Sequence, residues 1–334
     1  RPMTLPLPPI SPRVDNPAVV VIGGANIDRK CQTLGTVVMG TSNPGTIRTS
    51  SGGVGRNVAE NLARLDVTTA LVTALGDDTE GDRLRCEADA AGVDLRHIVV
   101  TRGSTGLYSA VVNDAGEMII AISAMQAMDA ISAGAVDARR ALIANARILV
   151  LDCNVPVEAL VRAAQIASGS GVHVVVDPVS VPKAAGISEL LASGMALHTV
   201  TPNLDELHEL TGVAGSSRAD LCAAAAQLHA AGVANVWIRL GVNGSFLSLS
   251  EDGAQRVEMI AASPATLVDA TGAGDAMLAG YIAGLLRGLD EFAAARLGRA
   301  AAAITIESRE TVSPLMNLST LLDRANGHAE AHDG

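Results

Sequence analysis

Along this chain the apolar residues gather in short runs that stop abruptly at glycine or a polar side chain. Such runs cover residues 18–22, 70–75, 148–151, 172–176, 197–200 and 235–240. They lack the alternation of a half-exposed strand and read as strands buried on both faces, as in a parallel sheet. The segments between them switch to helical spacing. Val58, Leu62 and Leu65 fall on one face, with Glu60 and Arg64 set to pair one turn apart. Further on, Met277, Tyr281 and Leu285 repeat the spacing beside Leu278 and Ile282, and 293–306 is an alanine-rich helix. Strands alternating with helices predict an α/β architecture: a mostly parallel sheet with helices on both faces.

Two segments break the alternation. In 107–122, apolar stretches flank Asn113-Asp114-Ala115-Gly116, a hairpin turn signal, and 245–249 follows the turn Gly241-Val242-Asn243-Gly244. The first hairpin, about 105–124, predicts an accessory sheet; with the turn-rich stretch 32–50 it would form a small lid. A proline-rich leader, 1–17, reads as a linker before one domain, 18–325, and a short tail, 326–334.

Composition narrows the function. With 334 residues, 49% of them hydrophobic, the chain can bury a large core. That core must be aliphatic, because Tyr108, Trp237, Phe246, Tyr281 and Phe292 are the whole aromatic set. So few rings, together with a net charge of −11, exclude a nucleic-acid surface built on stacking and phosphate neutralisation. Lysine occurs only at Lys30 and Lys183, and no P-loop or protein-kinase signature is present. Cys31, Cys86, Cys153 and Cys222 are scattered without ligand-like spacing, as expected of reduced thiols in a cytoplasmic protein. No apolar run approaches the roughly 18 residues that suggest a membrane span.

The chemistry concentrates in two glycine-rich turns. Asp269-Ala270-Thr271-Gly272-Ala273-Gly274-Asp275 opens the helix carrying Met277 and Tyr281. The first N–H groups of a helix have no intrahelical acceptor and attract an anion. Asp275 inside such a cradle is placed to take a proton from a hydroxyl, although a glycine turn with an aspartate also arises as a plain helix cap. The earlier turn, Gly52-Gly53-Val54-Gly55-Arg56-Asn57, brings backbone close to a small ligand and aims Asn57 from a helix start. Polar residues recur at strand carboxyl ends, where open α/β sheets bind ligands: Asn26 and Asp28, Asp177, then Asn203 and Glu206. Asn26 and Asp28 suit a vicinal diol, or else close an Asx turn.

Taken as an ordered set, the two glycine turns resemble the two signatures of the ribokinase-like (PfkB) carbohydrate kinases, and Asn203-x-x-Glu206 resembles that family's metal and phosphate motif. The resemblance implies a Rossmann-like, mostly parallel sheet with helices on both faces and a small β-sheet lid. It also implies ATP, Mg²⁺ and transfer of the γ-phosphoryl to a sugar hydroxyl. Within the family the chain resembles the pseudouridine-phosphorylating branch through Ser42-Asn43-Pro44-Gly45, 52–63, Gly116-Glu117-Met118, Ala130-Ile131-Ser132, Asp152-Cys153-Asn154 and Asp177-Pro178-Val179-Ser180.

Carried over on those positions, the resemblance makes Asp275 the base for the 5′-hydroxyl and the N–H groups of Gly272, Ala273 and Gly274 the anion cradle. Asn26, Asp28, Gly53 and Asn57 become the ribose clamp, and Ser42, Asn43 and Lys183 the readers of the uracil edge. Asn203 falls to the triphosphate, Glu206 and Asp177 to Mg²⁺ through its waters, and Arg239, Gly241 and Gly244 to the nucleotide loop. Asp269 and Thr271, with Ser313, resemble a monovalent-cation (K⁺) loop, in which Ala270 replaces the common threonine. A homodimer through the lid is implied, and in some eukaryotes such kinases are fused to a pseudouridine-phosphate glycosidase, which suits the linker-like start. Two alternatives stay open: a kinase for another nucleoside or sugar (ribose, adenosine, fructose-like), or a non-catalytic nucleoside-binding relative.

Overall fold

The computed structural model describes residues 16–251 and 253–326. The leader and tail expected from the sequence therefore lie outside the described residues, save at their inner ends. Within them the strands are, in chain order, β1 Val19–Ile22, β2 Asn26–Thr33, β3 Gly45–Gly52, β4 Thr69–Val72, β5 Ala74–Gly76, β6 Val99–Thr101, β7 Gly106–Val112, β8 Met118–Ala124, β9 Ile148–Asp152, β10 His173–Asp177, β11 Leu197–Val200, β12 Val233–Arg239, β13 Ser245–Glu251 and β14 Ala254–Ile260.

Eight of these form one sheet in the order β14-β13-β12-β11-β10-β9-β1-β4, parallel except for β13 and β14. Every residue of β1 is fully buried, which explains its unbroken apolar run. Val20 and Ile22 pack with Leu160, Ile187 and Leu221 in one core layer. Val19 and Val21 pack with Leu62, Tyr281 and Leu297 in the other, as sheet alternation requires. The helix Ala273–Leu286 packs against the helices Glu291–Ile306 and Val54–Arg64. It is buried almost all round, so its apolar residues do not keep to one stripe.

The chain leaves β1 for β4 on one side and later returns to β9 on the other. The carboxyl ends of β1 and β9 thus stand at the point where strand order reverses, the usual ligand site of such sheets.

A second sheet, in the order β3-β2-β7-β8, is assembled from both stretches expected to form the lid. It begins earlier than the sequence reading placed it. The chain turns straight from β1 into β2, so Asn26 and Asp28 are strand residues of this sheet rather than members of a closing turn. They share a face with Tyr108 and Ser50, while Ile47, Val111 and Ile120 line the other face.

Two further differences have plain causes. The run 70–75 is divided at Thr73, whose carbonyl accepts from Val99 N–H, and its second half pairs with β6 in a two-stranded sheet. The edge strand β14 escaped the sequence reading because it is half exposed and carries charged residues.

Candidate active site

The helix Ala273–Leu286 begins two residues earlier than Asp275, which puts that aspartate in the first turn. Gly272 is the N-cap with φ 81°, and a Cβ there would overlap the carbonyl oxygen of Thr311, so both conformation and space call for glycine. No acceptor among the described residues takes the N–H of Gly272, Gly274 or Asp275. The N–H of Ala273 is engaged, donating to the Ala270 carbonyl at 3.2 Å. The open donors of this turn are therefore those of residues 272, 274 and 275 rather than 272–274.

Asp275 is buried, and burial, reinforced by the negative charge of Asp177, pushes its carboxyl up to about 7. Asn57 Nδ2, which donates to its Oδ2 at 2.8 Å, and the charge of Arg239 pull the other way. Asn57 stands in the helix Val54–Arg64, which follows the first glycine turn. That turn is tied to the β1 end by Asp152, the last residue of β9, whose Oδ2 accepts from both Gly24 N–H and Gly55 N–H at 2.7 Å. The two glycine turns, more than two hundred residues apart in the chain, thus meet through Asn57 and Asp275.

Beside them stands a buried ion-pair cluster. Arg239, the last residue of β12, donates to Asp177 Oδ2 and Glu206 Oε2, each at 3.1 Å. A Cβ on Gly274 would press into the same guanidinium. Glu206 and Asn203 cap the helix Leu204–Thr211 reciprocally, Asn203 N–H donating to Glu206 Oε2 and Glu206 N–H to Asn203 Oδ1. Burial raises the Glu206 carboxyl despite Arg239 and the Asn203 amide. Its Oε1 takes no hydrogen bond from the described residues.

The remaining sequence candidates fall into five local settings. Asn26 Nδ2 donates to Asp28 Oδ1 at 2.7 Å, and burial raises the Asp28 carboxyl against that bond and the charge of Arg56. Gly53 is the N-cap of the helix that carries Asn57. Lys183 Nζ donates to Asn154 Oδ1, two residues beyond Asp152. Burial pushes the Asp269 carboxyl up, but the Thr271 amide and hydroxyl that donate to it, with the charges of Lys30 and Arg48, lower it on balance. Gly241 and Gly244 form the turn between β12 and β13.

Others share no hydrogen bond with this centre. Asn43 closes its own exposed loop, bonding Val38 N–H, Val38 C=O and Thr41 C=O, with exposed Ser42 beside it. Ser313 is fully buried, and its hydroxyl accepts from Leu315 N–H rather than meeting Asp269. Three residues that the sequence reading gave no role bind the site together: Asp152, Arg56 and Thr311. The position of Asp152 at the carboxyl end of a central strand was the one available signal for it.

Residues 16–317 match the model of the pfkB family carbohydrate kinase. The chain belongs to that family. As a PfkB kinase it is an ATP-dependent phosphotransferase acting on a sugar or nucleoside. It is 32% identical over 305 residues to the pseudouridine kinase of Escherichia coli (strain K12), covering 91% of this chain and 95% of that protein. It is likewise 32% identical over 265 residues to the ribokinase of Haemophilus influenzae, 79% of this chain and 83% of the other. Among solved PfkB folds, Arabidopsis thaliana ribokinase complexed with ribose and ATP superposes with a TM-score of 0.78 at 25% identity, covering 93% of this chain and 99% of that one. Among the described residues no helix is long and apolar enough to cross a membrane.

Proposed function

We propose that this kinase transfers the γ-phosphoryl of ATP to the 5′-hydroxyl of pseudouridine, giving pseudouridine 5′-phosphate and ADP. The observation that carries the phosphoryl-transfer chemistry is the carboxylate of Asp275, buried beside the open N–H groups of Gly272 and Gly274. A base held near neutrality takes the hydroxyl proton as the new O–P bond forms and the bond to the leaving ADP breaks. The open amides meet the charge on the transferring group. Asn26 and Asp28 suit the ribose hydroxyls. The choice of pseudouridine is supported by the likeness to the Escherichia coli enzyme and by the colinear segments noted in the sequence.

Among the described residues no group of three His, Cys, Asp or Glu side chains suits a directly bound metal ion. Asp177 and Glu206 face one guanidinium and are fitted to accept hydrogen bonds from the waters of a hydrated Mg²⁺, with Glu206 Oε1 as the oxygen left over. When bound with the triphosphate, that ion supplies charge neutralisation. A monovalent cation would draw its oxygens from Asp269, Thr271 and Ser313.

Ser42, whose hydroxyl has no partner among the described residues, is the better uracil reader, since the Asn43 amide is engaged in shaping its loop. Assays of Ser42→Ala with pseudouridine, uridine, ribose and adenosine are expected to show KM rising several-fold for pseudouridine, by roughly the 1 kcal/mol of one hydrogen bond, and unchanged for ribose. Equal loss for both would leave Ser42 no part in base recognition, and turnover of ribose or adenosine alone would reassign the substrate.

A homodimer through the second sheet is supported by its outer face. There Ile47, Cys31, Val111 and Ile120 stand side by side across all four strands, and Ile47, Ile120 and nearby Ile122 are exposed. Sedimentation is expected to give a dimer for the wild type and a monomer for Ile120→Lys/Ile122→Lys. A monomeric wild type would end this assignment.

A further inference from the structure

Arg56 is a buried cation that the phosphoryl-transfer chemistry does not itself use. Its side chain is 6% exposed. On one side its Nη2 is held by Glu60, one helical turn on, and by Glu87 at 3.4 Å from the helix Thr79–Ala90. On the other side its Nη1 donates to two oxygens, the Ser51 carbonyl and Asn57 Oδ1, both at 3.2 Å. Asn57 Nδ2 in turn donates to Asp275 Oδ2 at 2.8 Å.

The two ends of a carboxamide differ by one swap of oxygen for nitrogen, and something must decide which end faces Asp275. Arginine has only donors, so the atom of Asn57 that meets Arg56 must be the oxygen. The NH₂ group is then forced toward Asp275. Thr311 cannot make that choice. Its hydroxyl donates to the Ser51 carbonyl at 2.8 Å and lies 3.5 Å from Asn57 Oδ1. Were the amide reversed, its oxygen would face the carboxylate and favour the protonated acid, which cannot take a proton from a hydroxyl.

We propose that Arg56 is a positioning residue for phosphoryl transfer: clamped by Glu60 and Glu87, it sets the orientation of the Asn57 carboxamide, and through it the Asp275 carboxylate. This role rests on Asp275 acting as the base, as proposed above. Arg56 touches neither substrate nor nucleotide in this account and acts only through Asn57.

A double-mutant cycle tests it, using the full chain with ATP, Mg²⁺ and whichever of pseudouridine or ribose the wild type turns over. Arg56→Lys keeps a charge for Glu60 but loses the planar fork that reaches Asn57. It is expected to lower kcat roughly 10- to 100-fold, the effect of misplacing a reacting group, while KM for the acceptor stays within about threefold. In an Asn57→Ala background the same substitution is expected to change kcat less than about twofold, because its route of action is gone. If Arg56→Lys does not fold, Glu87→Gln at the half-exposed partner runs the same cycle, with a smaller loss expected beside Asn57 and none without it. Equal losses in both backgrounds, or full kcat in folded Arg56→Lys, overturn the inference and leave the kinase reading standing. A wild type that phosphorylates no sugar or nucleoside overturns both.

Discussion

Asp275→Asn is expected to lower kcat by about 10²- to 10⁴-fold, the range set by a placed general base, while leaving the fold intact. The asparagine keeps the shape and can still bond Asn57, but it cannot accept the hydroxyl proton. The pH dependence should change with it. In the wild type the base works deprotonated, so kcat/KM of the free enzyme rises with pH through about 7; in the variant that limb disappears.

Stability moves in the opposite sense. The Asp275 carboxyl titrates near 3.8 in an unfolded chain and at about 7 in the fold. Between those values the native state binds the extra proton, so this group's contribution declines as pH rises from about 4 to 7. Above pH 7 the full penalty, on the order of 4 kcal/mol, is present. Asp275→Asn should therefore unfold at higher urea than the wild type at pH 8, and the gap should close toward pH 5. Near-normal turnover in the variant would remove Asp275 from the chemistry. A gap that widened on acidification would contradict the buried, charge-disfavouring setting.

Arg239→Met should be the most destabilising single change at the site. It leaves Asp177 and Glu206, both buried and both facing the lost guanidinium, without their shared cation. Removing one partner of a buried ionic cluster costs about 3–5 kcal/mol, well above the worth of the pair itself, because the carboxylates that remain cannot be rehydrated. Arg239 also lowers the Asp275 carboxyl, so the acid limb of kcat/KM should move to higher pH in whatever fraction folds. Adding Glu206→Gln and Asp177→Asn to Arg239→Met should restore much of the urea midpoint without restoring turnover. Wild-type stability in Arg239→Met alone would show that solvent reaches the cluster and that the guanidinium is not its support.

Most of the architecture could be read along the chain. The buried strands have no alternation to disguise them, and helix and strand periods differ enough to be separated by eye. The two glycine turns were legible for the same reason: glycine at 272 answers to a positive φ and a carbonyl pressed against it, a local demand that leaves a local mark. The capping box of Asn203 and Glu206 is likewise a short-range pattern. Where the reading failed, the determinant was distant. The run 70–75 looked like one strand, yet Val99 takes the carbonyl of Thr73 and its second half joins a separate sheet. Asn26 and Asp28 looked like a loop, yet β7, some eighty residues on, draws them into a second sheet.

The same division runs through the site. The sequence by itself determined that a carboxylate would sit at the head of a glycine-capped helix, because the order Gly272, Ala273, Gly274, Asp275 dictates its own backbone. Only the tertiary structure decided what kind of acid Asp275 is. Its proton affinity depends on burial, on Asp177 and Arg239 arriving from other strands, and on an amide of Asn57 whose direction Arg56 sets. Electrostatic energies in a dry interior depend on distance through space, and no spacing along the chain records that distance.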